Sequence, residues 1–503
     1  MALNKLISRQ WVQLVLVLVL ALVVVLQTTA PTIYYLADST EYALGAKTLG
    51  IVHAPGYGLY MLIAHLFTYL PLGDTGYRVN LLSSLSLALA VMFTYAMLVA
   101  YLQGDRWIAL GAALSVFWSF RVWVNGVAAE VYMPQLAALS ACGWSLVVLY
   151  RSEARTVWRV LLTGALFGFA VALNPTSILF APGIAVAFLM LRLPMWQDVV
   201  AGVLAIVIVL VSLVYFPVRY SMGTPYNVAG EYNADAELVL QDLTTVEGMY
   251  WLLSGQQFES LFFAEGVVPS PGQLREVGVL FAGNFLYFGA LLAVGGLYFM
   301  GEQNWRVLVA WLVFFLPYAW FFSTYGAGDR DTMFNPAMWL LAVPIAQSLV
   351  WVAADSTMWV KAVVALTLPV AMLVVNFRIV DASDTFYMRE RAQFITESMP
   401  DDAVVYGSWI DTTMVQYMQL VEGRRSDLET VNLYYFGNEA FLEHVAALPA
   451  DIGQTLVLNS DLSERALAEL EELYDLEPVP LDEDTVKRLQ IEYVPQILRK
   501  KAP

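Results

Sequence analysis

Residues 34–60, YYLADSTEYALGAKTLGIVHAPGYGLY, place Asp38, Glu41, Lys47 and His53 directly after a first hydrophobic span. Asp38 and Glu41 are three positions apart. On a helix beginning near Ser39 they are neighbours, with Asp38 at or near the N-cap. A capping acid with a solvated glutamate fits that spacing. So does a pair in which one carboxylate accepts a proton from an acceptor hydroxyl at the membrane surface while the other orients the acceptor. His53 precedes Ala54, Pro55 and Gly56, a turn that ends one helix and fixes where the imidazole points.

The surrounding chain decides the solvent of this stretch. It has 503 residues, is 59% hydrophobic and has a mean hydropathy of +0.63. Apolar runs of about 20 residues recur from Trp11 to Phe377, the length that crosses a bilayer core of ~30 Å. The fold class expected is therefore an α-helical polytopic membrane protein with about 11 transmembrane helices. The spans fall near 11–30, 79–102, 107–123, 131–150, 157–173, 176–192, 198–217, 277–299, 306–322, 335–353 and 359–377. Met1 to Pro31 reads as an uncleaved first span, because the apolar run is long and lacks a clean small-residue cleavage site. Segments 40–50 and 57–70 are too short to span and read as surface helices in the first outer loop.

An odd number of spans puts the two ends on opposite sides. Lys5, Arg9, Arg106, Arg151, Arg155, Arg159, Arg192, Arg306 and Lys361 then lie on the cytoplasmic side, a weak positive-inside bias. The expected protein is multi-pass in the inner membrane, with a cytoplasmic N-terminus. The stretch 34–60, the aromatic-rich loop 219–276 and the C-terminal domain lie outside. One cysteine, Cys142, excludes a disulfide within the chain and argues against a thiolate metal site.

The formal net charge is −17, and from Arg378 onward 11 Lys and Arg face 24 Asp and Glu. That balance argues against nucleic acid as a partner of the tail. Strand patterns at 403–406, 430–433 and 455–458 alternate with helical ones at 411–421, 438–447 and 463–473. They predict a small α/β domain with a parallel sheet. The expected division is a transmembrane domain over 1–377 and an extracytoplasmic α/β domain over 378–503.

Other charges stand near the outer face. Arg121, Glu130 and Tyr132 fall in RVWVNGVAAEVY, where Arg121 and Glu130 form either a structural ion pair or part of a site. Asp329, Arg330 and Asp331 sit in GAGDRD, a weak DxD spacing. Arg330 and Arg219 are each a solvated flanking charge or a guanidinium that pairs with phosphate oxygens.

Taken together, Asp38-Ser39-Thr40-Glu41, the run Thr48 to Tyr60, Gly73-Asp74, Tyr77 to Ser83 and Ala129-Glu130-Val131-Tyr132 resemble the protein O-mannosyltransferase-like membrane family. In the tail Tyr406-Gly407, Asp411-Thr412 and Tyr417 to Leu428 resemble its bacterial members. Thr40 stands where Gly is common and Gly58 where Pro is common. The resemblance implies a GT-C glycosyltransferase acting on the outer face with a polyprenyl-phosphate sugar as donor, mannose or another hexose being the transferred group. It implies Asp38 as catalytic base with Glu41 beside it, and His53, Glu130 and Tyr132 orienting acceptor or donor. Arg121, Arg219 and Arg330 are the candidates for the lipid phosphate. The reaction implied is one inverting displacement onto a protein or glycan hydroxyl, with polyprenyl phosphate leaving and no metal or cofactor required. The bilayer is the remaining partner. The alternatives are a transporter or flippase of lipid-linked glycans, which would carry charges across the bilayer depth where this chain concentrates them at one face, and a membrane-anchored sensor or assembly protein, in which the first-loop carboxylates would be dispensable.

Overall fold

The computed structural model describes residues 2–34, 38–152, 156–191, 194–264, 266–449, 453–491 and 493–501, with side chains from residue 10 onward. Arg155, Arg192 and the side chains of Lys5 and Arg9 lie outside that description. The protein is a multi-pass membrane protein. Among the described residues five helices are long and apolar enough to cross a bilayer: Thr75–Tyr101, Tyr132–Arg151, Met195–Ser221, Phe288–Ser323 and Met358–Val380. A sixth arises if Arg330–Leu340 and Ala342–Val352, bent by 43°, form one span.

The expected count of about eleven is not reached by that measure. Apolar composition runs on across places where the helix stops. The expected span 277–299 is interrupted between Pro271–Asn284 and Phe288–Ser323, where Leu286 and Tyr287 have φ of 53° and 59°. A left-handed residue cannot continue a right-handed helix. Likewise Arg106–Phe117 ends and a short helix resumes at Phe120–Val124. Asn304, at φ −160° and ψ 89°, breaks Phe288–Ser323 between the expected spans 277–299 and 306–322.

The chain forms two compact units. One comprises 1–29, 80–214 and 258–383, the other 30–79, 215–257 and 384–503. The first is helical. Its helix Met195–Leu213 exposes Val199, Val203, Ile206 and Leu210, a helical stripe suited to lipid. Its other side meets Val157–Leu173 through small residues. A Cβ on Gly164 would stand 2.5 Å from the Ala201 carbonyl oxygen, and one on Gly168 would stand 2.6 Å from Ala205. Because lipid tails are as apolar as side chains, such close backbone approach is what drives helix association in membranes. Two buried tryptophans of this unit find partners: Trp339 Nε1 donates to Thr94 Oγ1 at 2.8 Å and Trp123 Nε1 to Thr28 Oγ1 at 3.1 Å.

Among the described residues the second unit contains two small sheets. Strands β1 (Gly230–Tyr232) and β2 (Leu238–Leu240) form an antiparallel hairpin. The tail contributes β3 (Val404–Gly407), β4 (Glu429–Asn432), β5 (Leu456–Asn459), β6 (Tyr474–Pro478) and β7 (Gln496–Lys500) in the order β4-β3-β5-β7-β6. The sheet is mixed rather than parallel throughout: β3 pairs parallel with β4 and β5, while β7 is antiparallel to β5 and β6. Strands β3 and β5 are buried along their whole length and read as apolar runs. Strand β6 is mostly exposed and carries Asp475 and Glu477, so it gives no such signal. Side chains alternate between two cores, Val404, Tyr406, Leu456 and Leu458 on one face and Val405 and Val457 on the other.

The segment after the first helix joins this unit as helices Ser39–Thr48 and Gly58–Phe67, and Ser39–Thr48 packs on Trp409–Leu420 of the tail. Arg389 ties the two, donating to Glu422 Oε1 at 2.6 Å and standing 3.9 Å from Asp74 Oδ2.

Replacing Gly168 by Leu should overpack the contact with Ala205 and destabilise the protein by about 1–3 kcal/mol. Thermal melting in detergent checks this, with Gly202→Leu, where an added Cβ meets nothing within 4 Å, as the control expected to melt like the wild type.

Candidate active site

Asp38 occupies the N-cap position of Ser39–Thr48, but its side chain makes no capping bond. Instead Oδ2 accepts from the Tyr42 hydroxyl at 3.3 Å and lies 3.5 Å from His53 Nε2. Of the two readings of this carboxylate, the cap is therefore ruled out. Its side chain keeps 18% exposure, against 1% for Glu41.

Glu41 is sealed and saturated. Oε1 accepts from the His53 backbone N–H at 3.0 Å and from the Tyr226 hydroxyl at 3.1 Å, and Oε2 lies 2.5 Å from His53 Nδ1. A buried carboxylate persists only when donors replace its water. The pairing also assigns the imidazole's two nitrogens: Nδ1 is bound to Glu41, leaving Nε2 facing Asp38.

The turn after His53 holds the ring in place. The Ala54–Pro55 peptide is cis, and the Ala54 N–H donates to Gln257 Oε1 at 3.0 Å. Gly56 has φ of 86°, and a Cβ there would stand 2.5 Å from Phe216. Only glycine satisfies both conditions. Tyr42, Tyr57 and Trp409 surround the imidazole at ring distances of 5.7, 5.7 and 4.9 Å.

The structure thus brings Asp38, Glu41 and His53 together. Arg219, in the same unit, donates through Nε to the Leu49 carbonyl at 2.8 Å and through Nη2 to the Thr48 carbonyl at 3.1 Å. Its observed work is to cap the C-terminus of Ser39–Thr48, a partner set that a flanking-charge reading did not anticipate. The other expected residues belong to the helical unit. Glu130 is 1% exposed, and its backbone N–H donates to Ser83 Oγ at 3.0 Å. Tyr132 begins Tyr132–Arg151 and is buried. Arg121 pairs with Asp331 at 2.8 Å, not with Glu130 as one sequence reading had it, and Arg330 pairs with Glu276 at 2.5 Å. Arg275, Glu276, Arg330 and Asp331 line an open cleft of about 580 Å3.

Tyr226, Trp409 and Tyr435 were not legible as site residues, since nothing local marks them. Burial, and then the charge of Glu41, raise the Tyr226 phenol well above its ordinary 10.0. Burial followed by Glu41 does the same for Tyr435. Both stay protonated, and Tyr226 stays a donor to Glu41.

Asp38, Glu41 and His53 also present ligand atoms within 4.8 Å of one another, the spread of a divalent-cation site. The direct 2.5 Å contact between Glu41 and His53 Nδ1 uses two of those ligands on each other. The donor set is suited to an ion, but this arrangement is a carboxylate–imidazole pair.

Residues 38–197 match the family model of the protein O-mannosyl-transferase TMEM260 N-terminal domain. That is the family the first-loop motif resembles. Protein O-mannosyl-transferase TMEM260 of Mus musculus is 38% identical over 96 residues, covering 19% of this chain and only 14% of that relative. ArnT from Cupriavidus metallidurans is similar over the whole chain. Its crystal structure bound to undecaprenyl phosphate aligns over 97% of both chains with a TM-score of 0.61 and 13% identity. Its apo structure aligns over 98% of both, with a TM-score of 0.58 and 14% identity. At that identity the likeness is one of fold, and the fold is of the GT-C type.

The raised Tyr226 pKa sets a sign for stability. A group held above its unfolded value contributes fully below pH 10 and loses that contribution as pH rises further, because the unfolded chain releases a proton that the folded chain keeps. Tyr226→Phe should lower stability at neutral pH by about 1–3 kcal/mol, as Glu41 loses a donor. Melting temperature against pH should also fall less steeply above pH 10 for the variant than for the wild type. Equal slopes would mean that Tyr226 ionises normally.

Proposed function

We propose that this protein is a membrane glycosyltransferase that moves a hexose, mannose first among them, from a polyprenyl-phosphate carrier to a Ser or Thr hydroxyl of an extracytoplasmic protein. The observation that carries this reading is Asp38: a partly accessible carboxylate at a helix start that does not cap its helix and is held between Tyr42 and His53. The TMEM260 match beginning at residue 38 supports it, as does a GT-C fold shared with a protein solved with undecaprenyl phosphate.

In this reading Asp38 takes the proton of the acceptor hydroxyl as its oxygen attacks the anomeric carbon. The bond from that carbon to the phosphate oxygen breaks on the opposite face, its electrons leave with polyprenyl phosphate, and the configuration inverts. Phosphate is a good leaving group, so the step needs neither a general acid nor a divalent ion. Glu41, without access to substrate, is a positioning residue that sets His53, and His53 in turn sets the direction of Asp38. Arg330 and Arg275 in the open cleft, with Arg121 on Asp331, are the cations suited to the lipid phosphate. Arg219 is occupied with the helix end. Glu130 and Tyr132 orient donor or acceptor. The N-terminus is cytoplasmic in the inner membrane, with the 378–503 region extracytoplasmic.

Asp38→Asn should reduce transfer from polyprenyl-phosphate mannose by about 10²–10⁴-fold with melting unchanged. Wild-type turnover by that variant would sink the assignment of the base. Activity should also survive exhaustive chelation; loss with EDTA and recovery with added zinc or manganese would instead make Asp38, Glu41 and His53 a metal site.

A further inference from the structure

The tail turns an aromatic cluster toward His53. Ser408 follows β3, its Oγ accepts from the Asp411 N–H at 3.3 Å, and Trp409 opens the helix so capped. The Trp409 ring meets the His53 ring edge-on, with centroids 4.9 Å apart and planes at 70°. Tyr434 and Tyr435 follow the end of β4 and lie 5.4 and 4.9 Å from Trp409. Tyr434 is 56% exposed.

These residues come from the carboxyl ends of adjacent parallel strands. The chain leaves β3 for β4 on one side and then returns to β5 on the other. Such a reversal of strand order is where open α/β sheets hold their ligands, outside the carboxyl ends of the strands. Here that edge adjoins the imidazole whose Nε2 is 3.5 Å from Asp38.

We propose that Trp409 and Tyr434 form the wall against which the pyranose ring of the transferred sugar packs. The inference rests on the glycosyltransferase reading above and names its sugar subsite. The anomeric carbon must lie beside the acceptor oxygen that touches Asp38, so the rest of the ring occupies the space around that carboxylate. One face of a pyranose is a set of C–H groups with slight positive charge, and the face of an aromatic ring is its electrostatic complement. Phosphate and polyprenyl chain are common to many donors, so selection among hexoses falls to whatever touches the ring. The tail is then part of the active site.

The test uses the full chain with polyprenyl-phosphate mannose and an acceptor peptide. Trp409→Ala should raise the donor KM about tenfold, and Tyr434→Ala about threefold, while the acceptor KM holds within about twofold. Trp409→Phe should restore most of the loss. Tyr434 is exposed, so its variant keeps the test valid if Trp409→Ala does not fold. A donor KM unchanged in both alanine variants, or an effect confined to the acceptor KM, overturns the proposal. A second arm needs no turnover: saturation-transfer NMR with methyl mannopyranoside on wild type and Tyr434→Ala. Loss of the signal in the variant supports the wall even if the protein transfers no hexose, and an equal signal overturns it.

Discussion

A carboxylate removed from water has to be met by donors, and the molecule meets Glu41 with the His53 backbone, the His53 ring and the Tyr226 hydroxyl. Glu41 and its donors come from three places in the chain. One is the helix after the first span, the next is the turn that follows it, and the last is the segment after Met195–Leu213. Removing either partner leaves an uncompensated buried charge, a far larger loss than that of a surface pair. The arrangement therefore fixes the imidazole, and through it the surroundings of Asp38. Glu41 is worth more as an anchor than it would be as a second base.

The tail extends the same logic. Its sheet is held to the first loop by Arg389, which spans Glu422 and Asp74, and by packing of Ser39–Thr48 on Trp409–Leu420. The motif around Glu422 to Asp427 is scaffold: Arg425 donates to the carbonyls of Met399 and Pro400 and to Asp427. A short polar motif need not touch substrate. This one holds a sheet whose carboxyl edge lies at His53.

Some features were legible because their cause is local. The apolar runs, the two short helices at 39–48 and 58–67, and the alternation of strand and helix in the tail all follow from composition and period. The breaks at Leu286, Tyr287 and Asn304 were not, since apolar residues fill helix and break alike. Strands β6 and β7 were missed because neither is an apolar run. The partners of Arg121 and Arg219 were missed because a guanidinium at a membrane surface reads the same whether it faces phosphate, Asp331 or a helix carbonyl.

The sequence by itself determined the solvent of this protein and the identity of its chemical groups: a multi-pass helical chain with Asp38, Glu41 and His53 in one short stretch. Their spacing alone did not rank the two carboxylates, and only the family resemblance pointed to Asp38 as the base. Tertiary structure ranked them, by burying Glu41 among donors drawn from Tyr226 and His53 while leaving Asp38 partly open. It also brought Trp409 to His53 from far along the chain, a neighbour that only long-range packing supplies.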